Sequence, residues 1–167
     1  MKTFFVVPIC FLLSFLLVSQ NSRAQNPDFS GEWNINIQKT DFGGLPHSAV
    51  AYKIKIVQAD GVVDLIRFLS DTSASRTPSE EKLNLNGAVT KTLLKDRTKT
   101  ASIKLMDGNA SLIETADYER SDPGKPNYKV TDVFSLSADK SVMTMVRTFL
   151  VGDEQNTVTA YYDRSKP

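Results

Sequence analysis

The chain has 167 residues, a formal charge of only +1 and a single cysteine, Cys10. The lack of a concentrated basic face argues against a nucleic-acid partner, and one thiol excludes a disulfide framework. Because His47 is also the only histidine, the sequence predicts no metal site, no cysteine–histidine nucleophile and no cofactor.

The first 24 residues are predicted to be a cleaved signal peptide. Lys2 precedes an apolar run from Phe4 to Val18, and Ser22-Arg23-Ala24 places small residues at the −3 and −1 positions of a cleavage site. The run is shorter than the roughly 20 residues of a spanning helix, which leaves a retained N-terminal anchor as the alternative. We therefore expect one exported domain, residues 25–167, that is periplasmic or extracellular and has no membrane span.

After this segment, apolar and polar residues alternate with period two, as in strands with one buried face. Trp33, Ile35 and Ile37 begin the pattern, and turn pairs such as Asp60-Gly61 and Asp107-Gly108 interrupt it. The pattern predicts ten strands, near residues 31–38, 50–59, 62–70, 80–86, 88–95, 98–106, 109–118, 127–137, 141–150 and 154–164, with a loop over 71–79.

Short strands joined by short turns favour an all-β, antiparallel up-and-down β-barrel of about 8–10 strands, because closure removes exposed strand edges. A two-sheet sandwich is the alternative, although sandwiches usually need longer cross-over connections.

The run of basic residues Lys91, Lys95, Arg97 and Lys99 is predicted to lie on a solvated surface. The basic residues of 91–99 are spread along a strand pair with Asp96 among them. Glu80 and Glu81 are adjacent on a strand, so their side chains point to opposite faces and cannot act as a catalytic pair. The sequence also contains no nucleophile elbow, phosphate loop or dinucleotide fingerprint. We therefore predict no catalytic residues and no enzymatic activity.

The start of the strand region carries a recognisable motif. Phe29-Ser30-Gly31-Glu32-Trp33, followed by Lys39-Thr40-Asp41-Phe42-Gly43, resembles the start of exported bacterial lipocalin-like proteins of the calycin superfamily. Gly31-Glu32-Trp33 is similar to the Gly-x-Trp signature of that superfamily, and the last strands, with Val146-Arg147-Thr148-Phe149 and Tyr161-Tyr162-Asp163-Arg164, fit the same pattern. The paired cysteines and C-terminal helix of classical lipocalins have no counterpart here, so the chain resembles the atypical relatives.

This resemblance implies an antiparallel barrel, closed at one end, that encloses a pocket for a small apolar molecule. In such barrels a tryptophan plugs the closed end and a basic residue from the last strand covers its indole. Gly31, Trp33 and Arg164 are thus expected to be structural residues of the closed end. With an even number of strands, the last strand runs antiparallel to the first, and Arg164 can stack on Trp33.

Two segments supply candidate ligand-binding residues. The loop after the first strand would overhang the open end of the barrel, so Phe42, Leu45 and His47 are expected to line its mouth; the alternative is a flexible surface loop. Met143, Met145, Arg147 and Phe149 share one face of the strand 141–150.

If that face points inward, the pocket has adaptable walls and a cation suited to an acyl carboxylate. If it points outward, Arg147 is a surface residue, and Arg67 is open to the same two interpretations. Tyr52, Tyr118, Tyr128 and Tyr162 fall in phase with inward-facing residues, where tyrosines more often contribute to the core.

The sequence as a whole predicts a monomeric, exported binding protein with a small hydrophobic ligand, such as a fatty acid or an isoprenoid. The alternative is an envelope interaction module, with the same barrel packed shut and a surface or edge that contacts a partner protein.

Overall fold

The computed structural model describes residues 27–69, 78–106 and 111–165. The predicted signal peptide and the Asp107-Gly108 turn lie outside the described residues. In chain order the strands are β1 (Gly31–Ile35), β2 (Ala51–Ala59), β3 (Val62–Leu69), β4 (Ser79–Asn84), β5 (Thr90–Leu94), β6 (Arg97–Leu105), β7 (Ser111–Arg120), β8 (Tyr128–Leu136), β9 (Val142–Val151) and β10 (Glu154–Arg164). A short 3-10 helix, His47–Ala49, precedes β2.

The strands form one antiparallel sheet in the order β4-β3-β2-β1-β10-β9-β8-β7-β6-β5. Every neighbour in this order is adjacent in sequence except β1 and β10, which pair with each other through Trp33 and Arg164. The sheet therefore curls into a nearly closed up-and-down barrel. The predicted fold class and strand number are confirmed, and the sandwich alternative is wrong.

The barrel remains incompletely paired along one line, here called the seam, between β4 and the β5–β6 pair. Just after the C-terminal end of β4, the seam is joined by a bridge between Asn86 and Lys104. The amide of Gly87 also donates there to the carbonyl of Ile103 at 3.1 Å. Along the rest of β4, in the described part of the chain, side chains rather than backbone groups connect the two edges of the seam. The seam is consequently a position where the barrel depends on side-chain contacts for closure.

Two details of the strands differ from the sequence predictions. β1 ends at Ile35 because the carbonyl of Asn36 accepts the amides of Lys39 and Thr40, which turns the chain and leaves Ile37 exposed. In β2 the pairing with β3 skips a residue between Ala51 and Lys53. This bulge turns Tyr52 outward, where it is 47% exposed, so its predicted inward phase is wrong.

One end of the barrel is sealed by Trp33. The indole is fully buried, its Nε1 donates to the carbonyl of Phe29 at 3.1 Å, and the guanidinium of Arg164 lies over the ring at 4.4 Å from the centroid. Gly31 allows this close packing, since its φ is +146° and a Cβ there would lie 3.1 Å from Nη1 of Arg164. We call this the closed end, and the opposite end the mouth.

Candidate functional site

Six charged side chains from six strands point into the barrel and form a continuous network, here called the charged belt. It contains three cations and three carboxylates, and its members are Arg67 (β3), Glu81 (β4), Lys99 (β6), Glu114 (β7), Asp132 (β8) and Arg147 (β9). Arg67, Lys99, Glu114 and Asp132 are each at most 6% exposed. Such burial is rare for charged groups and is tolerated when they pair with one another.

Arg67 is at the centre of the belt because it contacts all three carboxylates. Its Nη1 donates to Glu81 at 3.1 Å, and its Nη2 donates to Asp132 at 3.1 Å and also to Glu114. Among the described residues its buried Nε has no hydrogen-bond acceptor. A buried donor without an acceptor is costly, so Arg67 is left with one hydrogen bond unmade among the described residues.

Lys99 and Glu81 connect the two edges of the seam. The ammonium of Lys99 binds the carboxylate of Glu81 and, at 3.1 Å, that of Glu114. Glu81 lies on β4 and Lys99 on β6, so this ion pair spans the seam from inside the barrel. The prediction that Lys99 belongs to a solvated surface is wrong, because the residue is 5% exposed and faces inward beside Tyr118.

Arg147 completes the belt with a two-point ion pair to Asp132. Its Nε and Nη2 donate to the two carboxylate oxygens at 2.7 and 2.6 Å, and its Nη1 donates to the carbonyl of Ala49 at 2.8 Å. Of the two orientations considered from the sequence, Arg147 thus adopts the inward one. The guanidinium is not an isolated cation, however, since its charge is balanced by Asp132.

Glu114, Lys99 and Arg147 are held in their charged forms by their partners in the belt. Burial alone would raise the pKa of Glu114, but Arg67 and Lys99 outweigh burial and hold that pKa at about 2. Burial would lower the pKa of Lys99 and Arg147, yet neighbouring carboxylates, chiefly Glu114 and Asp132 respectively, raise both. Breaking one such buried pair typically costs about 3–5 kcal/mol, so the belt is expected to be rigid.

A cavity of about 130 Å³ lies inside the mouth half of the barrel, next to the belt. Its polar surface comes from Arg67, Lys99, Glu114, Asp132, Arg147 and Ser79, and its remaining wall from Leu69, Ala116, Tyr118 and Val130. The volume corresponds to about four waters at roughly 30 Å³ each. It is smaller than the few hundred Å³ of an ordinary ligand site.

The structure brings only some of the predicted site residues to this cavity. Arg67 and Arg147 line it, whereas Met143 and Met145 are fully buried in the core and are not part of its lining. Phe149 is half-buried and lies beside Arg147, whose guanidinium is 5.8 Å from the ring centroid. The methionine face therefore points inward but fills the barrel instead of lining a pocket.

The loop between β1 and β2 covers part of the mouth. Phe42 and Leu45 pack against the core, while His47 is exposed and stacks on Phe42 with ring centroids 4.3 Å apart. The loop is attached to β10 by two hydrogen bonds between the backbones of Asp41 and Thr159, at 2.9 and 2.8 Å. The loop has a defined place in the structure, but its role in binding stays a prediction.

The rim of the mouth beyond the belt carries two stacked tyrosines. The rings of Tyr118 and Tyr128 are 4.5 Å apart and nearly parallel. Arg120 and Arg97 lie at 5.1 and 6.0 Å from the centroid of Tyr128, and both are paired with Asp96. This rim gives the mouth an aromatic surface flanked by two arginines that share Asp96.

Sequence reasoning missed four members of the belt: Glu81, Lys99, Glu114 and Asp132. A signal was present, because Glu114 lies between Leu112 and Ala116 in the buried phase of β7, and Asp132 lies in the buried phase of β8. A charged residue in phase with apolar neighbours indicates a buried ion when a partner exists. The partner could not be identified from one strand.

Within residues 27–69, 78–106 and 111–165, no group of three or more histidine, cysteine, aspartate or glutamate side chains is placed to hold a metal ion. Within the same ranges, no helix is long and apolar enough to cross a membrane.

Comparison with known proteins supports the fold only. No protein-family model and no curated protein sequence matches the chain. Among solved structures, the zebrafish ileal bile acid-binding protein in complex with cholic acid is similar, with a TM-score of 0.51 and 11% sequence identity over 82% of this chain and 98% of that chain. The barrel thus has a calycin-like fold, and the similar protein is a binding protein.

Proposed function

We propose that this protein is an exported binding protein that holds a small, partly apolar ligand inside the mouth of its barrel. The observation that carries the proposal is the cavity of about 130 Å³, which combines the paired polar side chains of the belt with the apolar wall of Leu69, Ala116 and Val130. Ligand sites typically combine apolar walls with a few fixed polar groups in this way. The bile acid-binding protein of similar fold supports a binding function in general.

The size of the cavity favours a particular arrangement of the ligand. The closed-end half is filled by fully buried side chains such as Trp33, Phe134 and Met145. A whole fatty acid or isoprenoid, as expected from the resemblance, does not fit into 130 Å³. We therefore propose that the polar head of an amphipathic ligand enters the cavity, and that its apolar tail extends outward past Tyr118 to the mouth.

The binding proposal is tested by titration of the purified chain 25–167 with octanol, followed by NMR. Shifts of the amides of Arg67 and Ala116 are expected, because both residues line the cavity. Ala116→Leu should abolish these shifts by filling the cavity, whereas Ala138→Leu, in the exposed turn before β9, should leave them intact. Equal binding by both variants, or none by the parent, would refute the site.

Export is proposed from the apolar run of residues 4–18 and the small residues at Ser22 and Ala24. Mass spectrometry of the protein recovered from outside the cytoplasm should find Gln25 as the first residue. Recovery of the uncleaved chain in the membrane fraction would instead support a retained anchor.

A second candidate function, an interaction module, is favoured by one observation on β5. This strand pairs only with β6 in the described chain, and Leu93 is 82% and the preceding Val89 68% exposed. An exposed edge with apolar side chains can accept a strand from a partner protein. A pull-down with the parent, and with a Leu93→Lys variant as control, tests this; a stoichiometric partner lost only in the variant would support it.

A further inference from the structure

Building on the proposed ligand site, we propose that the head group accepted by this barrel is uncharged and carries a hydrogen-bond acceptor, so that a carboxylate is disfavoured. This departs from the expectation that Arg147 offers a cation to an acyl carboxylate. Two observations, the charge balance of the belt and the unpaired nitrogen of Arg67, carry the proposal.

Within the part of the chain that the structure describes, the belt has as many cations as carboxylates. Its three cations face three carboxylates, and Arg147 already has both Nε and Nη2 on the carboxylate of Asp132. Arg67 contacts all three carboxylates of the belt. An added carboxylate would give this buried site a net negative charge, or would have to displace a carboxylate that then stays buried without a partner. Both outcomes are unfavourable where water is largely excluded.

The belt nevertheless has an unused donor. The Nε of Arg67 is buried and has no acceptor in the part of the chain that the structure describes, and the residue itself is only 6% exposed. A guanidinium has donors only, so the missing partner must be an acceptor. A neutral carbonyl or hydroxyl oxygen placed beside Arg67 would offer such an acceptor, and it leaves the charge balance of the six belt residues unchanged.

The carboxylates at the cavity indicate that the head group also carries a hydrogen-bond donor. Glu114 and Asp132 line the cavity, and the carboxylate oxygens of both accept hydrogen bonds from cations of the belt. A head group with both an acceptor and a donor, such as a primary amide or an alcohol, could receive a hydrogen bond from Arg67 and donate one to either carboxylate. Amides, alcohols and other neutral polar head groups are therefore the proposed ligand class.

Octanamide, octanol and octanoate are matched probes for the test, because they share the apolar tail and differ in the head. Calorimetric titration of chain 25–167 at neutral pH, where octanoate is ionised, should give affinities at least about tenfold higher for octanamide and octanol than for octanoate. NMR shifts at the amides of Arg67 and Ala116 establish that the probes occupy the cavity and not the rim.

A charge variant provides the complementary test. Glu114→Gln leaves the belt with one excess positive charge, so octanoate should gain at least about tenfold in affinity relative to octanamide. Glu119→Gln changes the net charge of the protein equally but lies on the exposed face of β7, and should not change the preference. If Glu114→Gln does not fold, Asp132→Asn serves the same purpose, and the comparison of probes on the parent decides the matter if neither variant folds.

The outcomes separate this inference from the proposed function. Binding of octanoate to the parent as tightly as octanamide would overturn the head-group preference and leave the ligand site standing. Failure of all three probes to reach the cavity would overturn both. A preference for neutral probes that persists unchanged in Glu114→Gln would show that charge balance is not its cause, and would overturn the argument made here from the belt.

Discussion

The contact between Arg164 and Trp33 joins the last strand to the first at the closed end. Besides lying over the indole, Arg164 donates to the carbonyls of Lys140 and Ser30 at 3.0 and 3.1 Å. We predict that Arg164→Ala lowers the free energy of unfolding by about 2 kcal/mol, from the lost cation–π contact and two hydrogen bonds.

Urea denaturation followed by tryptophan fluorescence measures this effect, since Trp33 is the only tryptophan. Lys125→Ala, in the exposed turn between β7 and β8, is the control and should change stability by less than about 0.5 kcal/mol. An Arg164→Ala variant as stable as this control would contradict the prediction.

Glu114 should make the free energy of unfolding depend on pH in the acidic range. Its pKa is about 2 in the folded protein and 4.5 ordinarily. The unfolded chain therefore takes up the proton first, and the contribution of Glu114 to stability is present above pH 4.5 and is lost as the pH falls toward 2. We expect Glu114→Gln to be less stable than the parent at neutral pH, with the difference narrowing over this range.

Denaturation curves across that pH range, for the parent, Glu114→Gln and the exposed control Glu119→Gln, measure the effect. If the free energy of unfolding changed with pH in parallel for the parent and Glu114→Gln, the prediction would be contradicted.

At the scale of elements, the loop between β1 and β2 depends on a glycine for its position against β10. Gly43 has a φ of +56°, and a Cβ on it would overlap the carbonyl oxygen of Thr157. Gly44 has a φ of +80°, but a Cβ on it would have no atom within 4 Å. The two neighbours thus separate the cost of the backbone conformation from the cost of the contact.

We predict that Gly44→Ala costs about 1 kcal/mol and Gly43→Ala at least about 1 kcal/mol more, since the second change also forces the loop away from β10. Thermal denaturation measures both values. Equal destabilisation by the two substitutions would show that the loop is not held by this contact.

The strands were predictable because their signals are local. Alternation around Ile103 and turn pairs such as Asp60-Gly61 depend on neighbours in sequence, so ten strands could be placed within a few residues. The bulge that exposes Tyr52 adds one residue to one strand and leaves no mark in the composition. The belt was not predictable, because the partners of Arg67 lie on β4, β7 and β8, and only the closed barrel brings them together.

At the scale of the whole molecule, the ion pair of Lys99 with Glu81 is expected to keep the seam shut. We predict that Glu81→Gln increases hydrogen exchange of the β4 amides, because it removes the charge that attracts Lys99 across the seam. Glu80→Gln is the matched control, since this neighbour is exposed and on the opposite face of the same strand.

Hydrogen exchange followed by mass spectrometry or NMR makes this comparison, with β8 as an internal reference because it is paired on both sides. Faster exchange throughout the molecule would mean a general loss of stability. Exchange of β4 that is unchanged, or equal in the two variants, would contradict a role of the ion pair in closure.

The pairing of β1 with β10 also determines how the molecule can be attached to something else. Ser165 donates its amide to the carbonyl of Glu32 at 2.8 Å, so both ends of the described chain emerge side by side at the closed end. A group attached directly beside Pro27 or Ser165 would therefore lie on the closed-end side of the barrel, opposite the mouth. For the same reason, a circular permutant that joins the two ends and is opened in the exposed turn 121–127 should keep the barrel intact.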